Sequence, residues 1–202
     1  MMKYQMTNLE KFIKNLFTNN NIFVPSDISM EKFADSFDIW IHYREQGSEM
    51  HCINGLYSII LDSRLTRQEQ FQDFAHEFGH VIKHEGNQHL LAKEFIDLQE
   101  FQANNFMYHF CVPTFMLLNC ALTNYLSIYD GIQFISKTFN VTENFAQKRV
   151  IHFQNQCIQA KSDDEHRTFM KSLYPKAPPY SAATNALLNK LYAQLEKKGL
   201  VQ

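Results

Sequence analysis

The stretch Phe74-Ala75-His76-Glu77-Phe78-Gly79-His80-Val81-Ile82-Lys83-His84 constrains this chain more than any other. Apolar residues Phe71, Phe74, Ala75, Phe78, Val81 and Ile82 recur around it at helical spacing, and no proline interrupts it. The pattern predicts a helix from Arg67 to about His84. Residues four apart lie one above the other on a helix face, so His76 and His80 can aim two imidazoles at one metal ion. Glu77 lies about 100° round the same helix, close enough to reach a water at that ion without being a ligand. Zinc suits such a set, because it takes nitrogen and oxygen ligands in a tetrahedron and leaves a position for water in catalytic sites. The ion lowers the pKa of that water, and Glu77 is placed to take its proton as it attacks a peptide carbonyl. His-Glu-x-x-His fixes only three positions, however, and arises by chance in unrelated helices. Gly79 costs about 1 kcal/mol of helix stability relative to alanine, which close packing or passage of a substrate over the helix would explain.

A third ligand is the discriminating feature. A second helical segment runs from Lys93 to Phe110, with Pro113 just past it. Ile96, Ala103, Phe106, Met107 and Phe110 can face a core, and Glu100 sits three before Ala103 on the same side. A carboxylate on a core-facing stripe needs a partner, since burying it unpaired is very costly. A metal ion is such a partner, and the interval from His80 to Glu100 allows a helix–loop–helix return. The expected ligands are therefore His76, His80 and Glu100.

These residues resemble a known family, the ImmA/IrrE zinc metallopeptidases of bacteria and their mobile elements. The resemblance is carried by Ala75-His76-Glu77-Phe78-Gly79-His80 followed by His84, and by Glu100-Phe101-Gln102-Ala103-Asn104-Asn105-Phe106. It continues in Cys111-Val112-Pro113, where the family often shows Leu-Met-Pro, and in Phe139-Asn140-Val141-Thr142 with Arg149 behind it. Residues 28 to 153 are covered. The resemblance implies His76, His80 and Glu100 as zinc ligands and Glu77 as catalytic base. It also implies an α+β fold: a mostly helical zincin-like, gluzincin-type core with a small sheet, followed by helices. Phe78 stands where leucine is common, and Met107-Tyr108-His109 where small residues are common. The substrate implied is a regulatory protein, a helix-turn-helix repressor of a phage or integrative element. The alternative is a non-catalytic metal-binding regulator that acts by binding a repressor or antitoxin. An intact Glu77 argues against that, because a purely structural zinc site has no use for a base.

Elsewhere the chain reads as follows. Leu9, Phe12, Ile13, Leu16 and Phe17 form one stripe of a helix over residues 5 to 19. Ser29 caps a second helix carrying Phe33, Ala34 and Phe37. Ile39–Tyr43, Met50–Ile53 and Tyr57–Leu61 read as strands, with Asn54-Gly55 a hairpin signal, so a small antiparallel sheet is expected over 39 to 61. Gly86 is a plausible cap for the metal helix. Residues 113 to 123 form another apolar helix. Ile128–Phe139, a turn at Asn140-Val141, and Thr142 to about Cys157 make a pair shaped like a helix-turn-helix, with Thr142 as cap. The metallopeptidase domain is expected over 1–158. Charge and Pro175, Pro178 and Pro179 mark 159–180 as a linker or extended arm, and 181–202 as a C-terminal helix with Leu187, Leu188, Leu191 and Leu195 on one stripe.

Composition narrows the function classes. The net charge of −2 gives no broad reason to expect nucleic acid or an anionic membrane as partner. The second helix of the pair offers only Lys148, Arg149 and His152 as cations, thin for phosphate contact. No apolar run approaches the roughly 20 residues needed to span a bilayer, and the N-terminus lacks a signal-peptide core, so a cytoplasmic protein is expected. Cys52, Cys111, Cys120 and Cys157 are scattered and read as free thiols, with Cys111 too apolar in its surroundings for a nucleophile. His84 is expected beside the site or at the helix terminus, since Lys83 and Gly86 stand where the longer metzincin pattern needs glycine and histidine. Asn104 is a candidate to hydrogen-bond a ligand histidine. Tyr57, Tyr108, His109 and His152 are candidates for stabilising an oxyanion. His42, His51, His89 and His166 read as surface or structural residues. A His₂Glu site also accepts Mn²⁺ and other divalent ions.

Overall fold

The computed structural model describes residues 4–83, 92–120, 128–174 and 177–197. The chain divides into two compact units, Met1–Ala160 and Lys161–Gln202.

In the first unit, α1 (Asn8–Asn19) opens with a capping box in which Thr7 and Glu10 satisfy each other's backbone amides. After a short 3-10 turn comes α2 (Met30–Ser36), capped by Ser29 as the sequence predicts. Three strands follow, β1 (Ile39–Arg44), β2 (Glu49–Ile53) and β3 (Leu56–Asp62). The hairpin falls at Asn54-Gly55, whose φ values of 54° and 81° suit the turn that matches strand twist. The sheet is not wholly antiparallel, however. Its order is β1-β3-β2, with β3 antiparallel to β2 but parallel to β1, Ile39 opposite Tyr57 and Arg44 opposite Asp62. The reason is burial. Ile59 and Leu61 of β3 are fully buried, so this strand takes the centre and satisfies both edges, while the more polar β1 and β2 take the rims.

Helix α3 (Arg67–Lys83) starts from a second capping box, Thr66 with Glu69. Helix α4 (Lys93–Cys111) packs against it. Phenylalanines from three helices, α2, α3 and α4, interlock there. Phe33 meets Phe110 with ring centroids 4.7 Å apart, Phe74 stacks on Phe78 at 5.5 Å, and Phe106 stacks on Phe110 at 5.6 Å. All five are fully buried, so the many phenylalanines fill the core. Gly79 finds its explanation here. A Cβ at that position would lie 3.1 Å from Phe106 Cδ1 and 3.3 Å from the Ala103 backbone, so the glycine lets α3 and α4 approach.

Helices α5 (Thr114–Leu117), α6 (Ile128–Phe139) and α7 (Glu143–Leu173) follow. Thr142 caps α7 through the Phe145 amide. Residues expected as an arm are partly helical: α7 continues through the charged stretch to Leu173. Pairs one turn apart, Lys161 with Glu165 and Asp164 with Arg167, favour helix there. In the second unit, Ser181 caps α8 (Ala182–Lys197), on which Leu187 and Leu191 are exposed. His84, Gly86, His89 and the end of the C-terminal helix from Lys198 lie outside the described residues. No helix among those described is long and apolar enough to cross a membrane.

Candidate metal centre

Helix α3 carries His76 and His80 on the side that meets α4, and the two imidazoles stand over each other with Nε2 atoms 3.1 Å apart. From α4, Glu100 brings one carboxylate oxygen to 3.2 Å from His76 Nε2 and the other to 3.3 Å from His80 Nε2. Ligands about 2.0–2.1 Å from a tetrahedral ion are separated by about 3.3 Å, so this triangle has the edge lengths of three corners of such a tetrahedron. The donor set, two imidazoles and a carboxylate, is that of hydrolytic zinc sites. Among the described residues it is the single grouping of this kind. His80 is buried at 3% exposure, whereas the Glu100 side chain is 43% exposed. The expectation that Glu100 is driven to a ligand role by burial therefore misjudged its environment. Its place is set instead by the packing of α3 on α4 at Gly79. The exposed side leaves access for a fourth ligand and a substrate.

Glu77, next to His76 on α3, reaches the edge strand β2, whose Met50 backbone amide donates to its carboxylate. Burial, and then the nearby Glu100 and Asp73 carboxylates, push the Glu77 carboxyl up to about 8 in the metal-free chain. Asp73 stands one turn before Glu77 and accepts a 2.5 Å hydrogen bond from Ser48. Ser48 in turn accepts from the Asp62 amide at 3.1 Å, which ties the start of β2 to the end of β3. Sequence reasoning missed Asp73, although its spacing of four from Glu77 was visible.

Other candidates are placed elsewhere. Asn104 donates to the Glu100 carbonyl on its own helix at 2.8 Å, not to a histidine. Tyr108 packs on Phe145 with ring centroids 4.8 Å apart. Tyr57 lines an apolar groove with Phe12, Val81 and Ile82. His51 pairs with Glu49 on the surface, and His42 and His166 are exposed. Burial raises the Cys111 thiol well above its usual pKa, which removes it as a nucleophile.

His109 and His152 belong to a second polar cluster, around Arg149. That side chain is fully buried, which takes it out of any phosphate-contacting set on α7. It donates to Thr114 Oγ1 at 2.7 Å and to the Val112 carbonyl at 3.1 Å, closing the end of α4. Its Nη2 also lies 3.3 Å from His109 Nδ1, and the His152 ring lies against that of His109. The countercharge is Glu10, whose carboxylate accepts from Thr114 at 2.6 Å and from Tyr4 at 2.7 Å.

A three-stranded mixed sheet beside two packed helices, with two histidines and a glutamate converging between them, defines a metallopeptidase-type domain with a possible metal site. Residues 34–150 match the model of the Peptidase_M78 family, described as the IrrE N-terminal-like domain, and the chain belongs to this family. It is 46% identical over 149 residues to the phage-like element PBSX protein XkdA of Bacillus subtilis (strain 168), covering 74% of each chain. It is 37% identical over 158 residues to YqaB of the same organism, across 78% of this chain and 91% of that protein. Among solved structures, a Mycobacterium tuberculosis transcriptional regulator shares the fold with a TM-score of 0.52 at 14% identity. That match covers 70% of this chain and 54% of the other.

Proposed function

We propose that the protein is a zinc-dependent endopeptidase, with His76, His80 and Glu100 holding the ion and Glu77 as general base. The observation that carries this reading is the triangle of two imidazole nitrogens and one carboxylate, with edges of 3.1–3.3 Å, beside a second, half-buried carboxyl, that of Glu77. Zinc, or Mn²⁺ in its place, would polarise the scissile carbonyl and make water a nucleophile near neutral pH. Glu77 takes a proton from the attacking water and passes it to the departing amine nitrogen, so no net proton is consumed by the side chain. The Met50 amide orients the Glu77 carboxylate. The outer edge of β2 beside it offers backbone groups on which an extended peptide can lie as an added strand.

The substrate in this reading is a regulatory protein, a helix-turn-helix repressor of a phage or mobile element, met in the cytoplasm. Similarity to a protein of a phage-like element supports that setting. The metallopeptidase domain is assigned to residues 1–158. The test is intact-mass analysis of the repressor encoded nearest the gene after incubation with zinc-loaded protein or its Glu77→Gln variant. Two fragments with the first and none with the second are expected. An intact repressor with both would remove it as the substrate. If Glu77→Gln retains full biological function, catalysis is not the function and the binding-regulator alternative takes its place.

A further inference from the structure

The N-terminal half of α4, which leads to Glu100, carries a second pattern that the metal site does not use. Phe95, Leu98 and Phe101 are 61%, 50% and 68% exposed, and each is about one turn from the next. Single exposed apolar residues are ordinary, but three successive large ones on one helix next to a reactive site mark a contact surface. Glu94 and Asp97 run alongside them, both exposed, and neither has an ion-pair partner among the described residues. Lys93 is the cation on this half of the helix. Beyond Glu100, Asp73, Glu77 and Glu49 follow on α3 and β2. An ion held by Glu100 would leave the charges of Glu94 and Asp97 in place. Glu94 and Asp97 therefore set exposed negative charge directly beside the apolar stripe, in a chain whose net charge is only −2.

We infer that Phe95, Leu98 and Phe101, with Glu94 and Asp97, form a docking surface for the substrate, and that the segment docked is a cationic amphipathic helix. Apolar side chains at helical spacing on such a segment cover the α4 stripe, and its flanking lysines and arginines meet the two carboxylates. The inference rests on the endopeptidase reading, since it places a recognition surface on the helix that supplies Glu100. It adds the chemistry of what is recognised: an acidic or purely polar segment would find no complement here.

The probe is a fluorescent synthetic peptide with leucines at helical spacing between lysines and arginines, and a second in which glutamates replace the cations. Binding to the zinc-loaded full chain is measured by anisotropy at low and high salt, for the wild type, Leu98→Ser/Phe101→Ser and Glu94→Lys/Asp97→Lys. The cationic peptide should bind, more weakly in high salt, and at least tenfold more weakly to the serine variant, roughly the value of one apolar side chain. Charge reversal should invert the preference between the two peptides. Equal binding of both peptides to the wild type, or wild-type affinity in both variants, overturns the inference. So does a change of oligomeric state in the serine variant alone, which would make the stripe a contact between copies. A zinc-induced rise in Tm in each variant shows that it is folded. Cleavage in the same tubes, read by mass, reports separately on the endopeptidase reading. Stripe-dependent binding without cleavage keeps the docking surface and counts against that reading, and cleavage indifferent to the variants does the reverse.

Discussion

Two clusters in this molecule combine histidine with glutamate, and they are opposites. Around Arg149 the carboxylate of Glu10, the His109 ring and Thr114 are buried, Tyr4 is half-buried, and a guanidinium supplies the positive charge. Between α3 and α4, Glu100 and Glu77 stand with two imidazoles and no arginine or lysine contact is seen among the described residues. The first cluster is electrically complete, and it closes the end of α4 by binding the Val112 carbonyl. The second has donor atoms converging on a point and more negative than positive charge. A cluster neutralised from within serves structure, whereas converging donor atoms of net negative charge are the kind of set that suits a metal ion.

The largest effect that would break this contrast is at Glu77. Glu77→Gln should lower peptide cleavage by about two to four orders of magnitude while zinc content and Tm stay near wild type. Single-turnover kinetics with parallel metal analysis checks it, and near-wild-type cleavage would end the role of Glu77 as base. Next is Arg149→Met, which leaves Glu10 buried without its cation and the Val112 carbonyl without its donor. It should cost about 3–5 kcal/mol in urea unfolding, and adding Glu10→Gln should recover part of that loss. If the double variant is no better than the single one, the two residues are not a charge pair.

Adding zinc should sharpen the distinction from the other side. At about one hundred times Kd, it should stabilise the wild type by about 2.7 kcal/mol, and His80→Ala or Glu100→Ala should abolish that gain. His109→Gln should keep it, because that histidine serves the other cluster. The smallest effect expected is on acid stability. Burial, then Arg149, hold His109 neutral down to about 3, so below the ordinary histidine value the unfolded chain binds a proton that the folded chain refuses. Burial raises the Glu10 carboxyl, but hydrogen bonds from Thr114, Tyr4 and Thr7 outweigh it and hold the group below its usual value. Its contribution is present above the unfolded pKa and is lost as pH falls through the folded one. Both groups therefore weaken the fold on acidification. In His109→Gln the loss between about pH 6.5 and 3 should be shallower, as read from urea midpoints across that range.

Local signals in this chain were legible. The apolar spacing around His76 and His80 gives α3, Ser29 and Thr142 begin their helices, and Asn54-Gly55 makes the hairpin turn. Each depends on neighbours within a few residues. The errors came where distant residues compete. Three strand-like segments with one hairpin suggested an antiparallel sheet, but Ile59 and Leu61 needed burial, so β3 moved between β1 and β2 and made one pairing parallel. The charged stretch after Ala160 suggested an arm, and helix-spaced ion pairs keep it helical to Leu173.

The sequence by itself determined the arrangement of His76, Glu77 and His80 on one helix. Two histidines four apart must share a helix face, and the glutamate between them must stand aside, because the pitch of a helix leaves no other arrangement. Tertiary structure decided how near Glu100 comes to those histidines, because that distance depends on how closely α3 and α4 pack, and the space at Gly79 permits the approach. It also decided the fate of Arg149, which in sequence is one more cation on a surface helix. Only the meeting of α1, α4, α5 and α7 supplies the carboxylate, hydroxyl and carbonyl that allow a guanidinium to leave water.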